Sequence, residues 1–71
     1  MISDRLEKLV EEMVERGVRF DDAVHEFEKR FIVRVLGNCS GSMTKAAKSL
    51  GMHRNTLTRK MEAYKIKRTA G

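Results

Sequence analysis

The sequence feature that most constrains the fold is the stretch SMTKAAKSLGMHRNTLTRKM, in which a glycine separates two short helical patterns. Gly51 tolerates the positive φ that a tight turn between helices requires. The first pattern carries two small residues, Ala46 and Ala47, which allow another helix to cross closely, and the second carries Leu57 and Met61 on one face. This combination predicts two short helices joined by a tight turn, which is a helix-turn-helix.

A first helix is predicted within residues 3–16, well before this unit. Its apolar residues recur at the spacing of one helical face. They are Leu6, Leu9, Val10, Met13 and Val14. Either Ser3 or Asp4 is expected to cap the N-terminus of this helix, and Gly17 is expected to end it in the left-handed conformation.

A second helix is predicted between an N-cap at Asp21 or Asp22 and an end near Cys39. Its apolar residues form two neighbouring faces. One face consists of Phe20, Val24, Phe27 and Phe31, and the other includes Ile32 and Leu36. Because two faces need two neighbours, we expect this helix to pack on the first helix, on a partner chain and on the helices that follow. After it, Gly41 is expected to be left-handed and Ser42 to cap the third helix.

The length of 71 residues leaves room for one domain, and so short a chain buries too little apolar surface to be comfortably stable alone. A partner subunit is therefore expected. The absence of Pro and Trp, together with 35% charged residues, favours an all-α fold. We expect dimerisation helices within residues 1–41, the helix-turn-helix within residues 42–66 and a flexible tail at 67–71.

Positive charge is concentrated in the second half of the sequence. Residues 1–36 hold seven Lys or Arg and nine Asp or Glu, whereas residues 37–71 hold eight and one. Evenly mixed charge would indicate only solubility, but this segregation indicates binding to a polyanion.

The outer face of the helix that follows Gly51 is polar and basic. It carries Arg54, Asn55, Thr56, Thr58, Arg59 and Lys60, with Glu62 as its acidic residue. Arginine can bind guanine and asparagine adenine in the major groove, whereas threonine hydroxyls and lysine ammonium groups suit phosphate oxygens. These residues predict a reader of double-stranded DNA. Two alternatives stay open: a solvated basic face, and a protein-interaction module whose helix-turn-helix no longer reads bases.

The stretch NCSGSMTKAAKSLGMHRNTLTRKMEAYKI resembles the C-terminal helix-turn-helix of the Fis family. The matching residues are Gly41, Ser42, Thr44, Lys45, Ala46, Ala47, Leu50, Gly51, Met52, Arg54, Thr56, Leu57, Arg59, Lys60 and Met61. The resemblance implies a homodimer in which the first two helices of each chain interlock into a four-helix core, with one helix-turn-helix on each side. It also implies that DNA can bend to meet both recognition helices.

The resemblance, the chemistry of the side chains and the helical spacing together assign roles to single residues. Base contacts are expected from His53, Arg54, Asn55 and Arg59. Phosphate contacts are expected from Ser42, Thr44, Lys45, Thr56, Thr58 and Lys60. The dimer core is expected to contain Leu6, Leu9, Val10, Met13, Val24, Phe27 and Phe31. His53 stands where the family usually has Asn or Ser, and histidine is a poorer N-cap. We therefore expect either a less firm start of the fourth helix or a contact of His53 with DNA.

Several other classes of function are not expected. Cys39, His25 and His53 have no zinc-ligand spacing, and no nucleophile is placed beside a base. No run of about 18 apolar residues is present. We expect neither a metal nor a cofactor, no small-molecule substrate, no membrane partner and no enzymatic activity. The expected partners are double-stranded DNA and a second copy of the chain, in the bacterial cytoplasm at the nucleoid.

Overall fold

The computed structural model describes residues 1–67, which form four α-helices and, within that range, no β-strand. The helices are α1 (Ile2–Glu15), α2 (Phe20–Asn38), α3 (Met43–Leu50) and α4 (Arg54–Ala63). The predicted all-α fold class is confirmed, as is the end of the second helix near Cys39. Residues 68–71, which make up most of the predicted tail, lie outside the described residues.

The N-termini of the first two helices differ from the prediction. The N-cap of α1 is Met1, without a side-chain cap bond, so the prediction of Ser3 or Asp4 as N-cap is wrong. The helix starts earlier than expected and includes both residues in its first turn. There the Asp4 carboxylate lies 3.6 Å from the terminal amino group of Met1. It is also close to the positive end of the helix dipole, where a negative charge is favourable.

The same error affects α2. Its N-cap is Arg19, again without a side-chain cap bond, and Asp21 and Asp22 both lie in the first turn. Acidic side chains at these positions stabilise the helix by their interaction with the dipole and not by capping. Acidic residues therefore predicted the starts of α1 and α2 to within a few residues, but they did not identify the first residue of either helix.

The left-handed glycines are as predicted. Gly17, Gly41 and Gly51 have φ values of 74°, 80° and 71°. Gly51 matters most for the functional region, because it ends α3 and lets the chain turn into α4 within a few residues. A side chain at this φ would be strained, so the turn depends on glycine.

The core lies between the C-terminal half of α2, α3 and α4. Its buried residues are Ile32, Leu36, Met43, Ala46, Ala47, Leu57 and Met61. Ala46 and Leu57 are fully buried, which confirms that small residues of α3 meet the apolar face of α4. Cys39 and Met52 pack against this core and are partly buried. The core thus holds the helix-turn-helix against the end of α2.

Outside this core, α1 and the first half of α2 expose large apolar side chains. α1 contributes no buried residue. Leu6, Leu9 and Val10 are about half exposed, and Phe27 and Phe31 are 57% and 50% exposed. The two predicted faces of α2 are thus real, since one is buried within the chain and the other is uncovered. An uncovered apolar surface of this kind is unusual for a monomer.

Candidate nucleic-acid interface

The helix-turn-helix is fixed by a cap at the start of α3 and a turn at its end. The Ser42 Oγ accepts a hydrogen bond from the backbone N–H of Lys45 at 3.3 Å, as predicted for an N-cap. After Gly51, the N–H of Met52 donates to the carbonyl of Ala47 at 3.1 Å. These bonds bring the chain directly into α4, which begins at Arg54.

His53 caps α4 through its ring. The Nδ1 atom accepts a hydrogen bond from the backbone N–H of Asn55 at 3.0 Å. Such a bond requires an unprotonated Nδ1, so the neutral ring carries its hydrogen on Nε2. The histidine therefore supplies the side-chain cap that Asn or Ser would supply, and its exposed ring lies at the N-terminal end of α4.

The side chains predicted to read bases are exposed on α4. Arg54, Asn55 and Arg59 are all exposed, while Leu57 and Met61 of the same helix are buried. The ion pairs formed within residues 1–67 join Met1 to Asp4, Arg30 to Glu26 and Lys60 to Glu28. Arg54 and Arg59 belong to none of these pairs. Their charges are therefore available to an external anion.

The residues predicted to contact phosphate fall into two groups. Thr44, Lys45 and Thr56 are exposed, and Ser42 is partly buried with its hydroxyl hydrogen not used by the cap bond, in which its oxygen accepts. Thr58 differs, because its hydroxyl donates to the carbonyl of Arg54 at 3.0 Å. Phosphate oxygens only accept, so Thr58 would have to give up this bond to donate to them.

Lys60 is also placed differently from the other cations. Its Nζ lies 2.6 Å from Glu28 Oε1, and the hydroxyl of Tyr64 donates to the same oxygen at 2.9 Å. The side chains of Lys60 and Glu28 are 33% and 29% exposed. Lys60 thus has an acidic partner within its own chain. Sequence reasoning missed Glu28, because nothing in the sequence pairs residues 32 positions apart.

These contacts change the ionisation of all three groups. The hydrogen bond from Lys60, followed by that from Tyr64, lowers the pKa of Glu28 below its ordinary value. The hydrogen bond to Glu28 raises the pKa of Lys60. Burial, followed by the hydrogen bond to Glu28, raises the pKa of Tyr64. Near neutral pH the cluster therefore consists of a carboxylate, an ammonium group and a neutral phenol.

The basic surface extends beyond the end of α4. A shallow cleft of about 500 Å³ lies beside the helix, with Arg54, Glu62, Lys65 and Lys67 among its lining residues. Lys65 adopts a left-handed conformation with φ 55°, which turns the chain away from the helix. Lys65 and Lys67 are both exposed. The next cation in the sequence, Arg68, lies outside the described residues.

Comparison with known sequences identifies the family to which this arrangement belongs. Residues 23–64 match the family model described as bacterial regulatory protein, Fis family. The chain belongs to the Fis family. The match begins within α2 and ends just after α4, so it includes the whole helix-turn-helix and leaves out α1.

Several curated relatives of this Fis-family chain carry related names. A protein of Xylella fastidiosa strain 9a5c, named as Fis-like and DNA-binding, is 40% identical over 45 residues, which are 63% of this chain and 50% of the relative. A protein of the same name from Neisseria meningitidis serogroup A is 40% identical over 42 residues, 59% of this chain and 53% of the relative. The chain thus spans about half the length of these relatives. No solved structure matches it.

A second surface of the Fis-family chain is formed by residues that precede the helix-turn-helix in the sequence. It is an apolar groove of about 860 Å³ between α1 and the first half of α2. All of the residues predicted for the dimer core line it. They are Leu6, Leu9, Val10, Met13, Val24, Phe27 and Phe31. We call this surface the α1–α2 groove.

Two other kinds of feature are absent from residues 1–67. Nowhere in this range do three His, Cys, Asp or Glu side chains come together in a way that could hold a metal ion. None of the helices in the same range is long and apolar enough to cross a membrane.

Proposed function

We propose that this Fis-family chain is a homodimeric regulator that reads double-stranded DNA with α4 in the major groove. One observation carries the proposal: α4 exposes Arg54, Asn55 and Arg59, with neither arginine in an ion pair within the described residues. An uncompensated basic helix costs self-repulsion unless an anion lies against it. The names of the curated relatives, which describe those proteins as DNA-binding, support the same function.

The roles of the residues follow from their donors. Arg54 and Arg59 can each place two N–H groups on guanine, and the amide of Asn55 can pair with adenine. The Nε2–H group of the His53 ring is not used by the cap bond and can donate to a base. Lys45, as a compact charge at the start of α3, suits a phosphate oxygen and carries no sequence information.

The other residues predicted to contact phosphate are four hydroxyl side chains and Lys60. Ser42, Thr44 and Thr56 can donate to phosphate without losing an internal bond. Thr58 and Lys60 were predicted for the same role, but each would first have to leave an internal partner. We therefore rank them below the others as contributors to affinity.

The α1–α2 groove supports a second copy as the partner. It gathers several of the large apolar side chains that the single chain leaves exposed, among them Leu6, Leu9, Val10, Phe27 and Phe31. Burying them against the same residues of another chain would supply the stability that so small a domain lacks. A two-fold pair would also present two copies of α4 to one duplex, at a fixed separation.

A salt titration of DNA binding separates this function from a protein-interaction module. Neutralising phosphates releases counterions, so the logarithm of affinity should fall linearly with the logarithm of salt concentration. With about six phosphates neutralised, the affinity should fall about 1,000-fold between about 50 and about 200 mM salt. A shallow slope, or no binding to duplex DNA at low salt, would contradict the proposal and favour the interaction module.

A further inference from the structure

We propose that Glu28 is a positioning residue for DNA binding, which sets the tilt of α4 relative to α2. The inference deepens the proposed function and rests on it. Among residues 1–67, the hydrogen bonds that join side chains far apart in sequence both end on Glu28 Oε1, one from Lys60 and one from Tyr64. Both donors belong to the end of α4, because Lys60 lies in its last turn and Tyr64 is its C-cap.

The neighbouring contacts make Glu28 a link between the two surfaces of the molecule. Glu28 lines the α1–α2 groove, next to Phe27, and also a smaller cleft that reaches Lys60. The ring of His25, one turn earlier on α2, contacts the ring of Tyr64 at a centroid distance of 5.2 Å. The helix that would form the dimer thus holds the helix that would read DNA through polar and aromatic contacts.

Packing in the core does not make this link redundant. Leu57 and Met61 fix α4 on α3, because both are buried in the shared core. An apolar contact is non-directional and tolerates a change of tilt better than a hydrogen bond does. The Glu28 cluster adds the directional contacts, and it adds them at the opposite end of α4 from Arg54 and Asn55.

The size of the effect follows from the length of α4. The helix has 10 residues and is therefore about 15 Å long. A tilt of about 13° around its C-terminal end would move its N-terminal end by about 3.4 Å, which is the rise of one base pair. In a two-fold dimer such a tilt acts on both recognition helices. Loss of the cluster should therefore broaden the range of half-site spacings that the dimer accepts.

The test uses duplexes that carry two copies of the preferred half-site, with the distance between them changed in steps of one base pair. Binding to each duplex is measured for the wild-type chain, for Glu28→Ala and for Tyr64→Phe. Glu26→Ala is the matched control, since Glu26 carries the same charge and also lines the α1–α2 groove, but its ion pair within residues 1–67 is with Arg30, at 3.1 Å. Thermal unfolding and sedimentation establish which variants are folded and dimeric.

We expect the wild type and Glu26→Ala to share one preferred spacing. For Glu28→Ala and Tyr64→Phe, the ratio of the affinity at the preferred spacing to the affinity at neighbouring spacings should fall by about three- to fivefold. An ion pair or hydrogen bond of this exposure can supply a factor of that size. Destabilisation alone would weaken binding to all duplexes equally and leave this ratio unchanged. If Glu28→Ala does not fold, Tyr64→Phe, which removes one hydroxyl, decides the question.

Two results would overturn the inference while leaving the proposed function intact. One is a folded Glu28→Ala or Tyr64→Phe dimer with the wild-type spacing ratio. The other is tighter binding of Glu28→Ala to every duplex with a steeper salt slope, which would mean that Glu28 withholds Lys60 from phosphate. A wild-type chain that is monomeric, or that has no preferred spacing, would instead count against the proposed function itself.

Discussion

Single side chains of the helix-turn-helix differ in whether they can distinguish one DNA base from another. Arg54 and Lys45 are both exposed and both lack an acidic partner within the described residues. Arg54 stands at the first position of the helix proposed to enter the major groove, whereas Lys45 lies in the first turn of α3. Removal of either charge should weaken binding, but in different ways.

For Arg54→Ala we expect a loss of about 1–3 kcal/mol on the preferred sequence and a relaxed preference at one base pair. For Lys45→Ala we expect a loss of similar size on every duplex and a salt slope that is shallower by about one. Competition binding on the preferred site and its single-base variants measures both effects. Equal losses on all sequences for both variants would contradict the separation of roles.

The Glu28 cluster predicts a pH dependence of stability. The pKa of Glu28 is lowered by the hydrogen bonds from Lys60 and Tyr64, with a smaller contribution from the charge of His25. A carboxyl with a depressed pKa stabilises the fold above its unfolded value, near 4.5, and loses this contribution as the pH falls through the folded value. The raised pKa of Lys60 keeps the pair intact on the alkaline side until above its ordinary 10.5.

We therefore expect Glu28→Gln to be less stable than the wild type by about 1 kcal/mol at neutral pH. The difference should vanish as the pH falls below the depressed pKa of the Glu28 carboxyl, because the wild-type carboxyl is then protonated as well. Urea unfolding of both chains as a function of pH measures it. Glu26→Gln is the control with little effect at any pH, and a Glu28→Gln difference that persists undiminished at low pH would rule out the ion pair as its source.

Two glycines show how the elements depend on backbone conformation. Gly37 lies within α2, and a Cβ added there would meet nothing within 4 Å. Gly51 also has open space around it, but its φ of +71° strains any other residue. The same substitution should therefore have opposite effects at the two positions.

Gly37→Ala should stabilise the chain by up to about 1 kcal/mol, because alanine loses less backbone entropy in a helix. Gly51→Ala should destabilise it by about 1–2 kcal/mol, because a left-handed alanine is strained. Chemical denaturation of the two variants beside the wild type gives both values. A destabilised Gly37→Ala would mean that this part of α2 is covered by something else, such as a partner chain.

The sequence predicted these elements well where the signal was local. Hydrophobic spacing located four helices, and Gly51 with Ala46 and Ala47 located the helix-turn-helix, because these residues meet demands of the backbone itself. The predicted starts of α1 and α2 were wrong, because acidic residues are favourable in the first turn of a helix as well as at its N-cap. The bonds from Lys60 and Tyr64 to Glu28 depend on how α2 and α4 pack, and only the folded chain contains that information.

At the level of the whole molecule, the chain consists of a packed helix-turn-helix and an apolar arm, formed by α1 and the first half of α2, for which a second copy is the proposed partner. The burial pattern predicts that these two parts respond differently to substitution. Phe27 is 57% exposed and lines the α1–α2 groove, whereas Val33 is 49% exposed on the same helix and does not. Neither contributes to the buried core that holds α3 and α4.

Phe27→Asp should therefore give a monomer, because a charge at the centre of the groove would be buried without a partner on association. Val33→Asp, the control, should keep the mass of the dimer. Sedimentation of both variants measures the assembly, and circular dichroism measures the helix content that remains. A Phe27→Asp chain with the mass of a dimer would show that the groove is not the interface.

In the proposed dimer, two copies of α4, each beginning at Arg54, contact bases in two successive major grooves of one duplex. Selection of bound DNA from a random pool, with the wild type and Arg54→Ala in parallel, tests this arrangement most directly. We expect a palindromic consensus for the wild type and the loss of one symmetric pair of specified bases for the variant. A consensus without symmetry, or one that Arg54→Ala leaves unchanged, would contradict it.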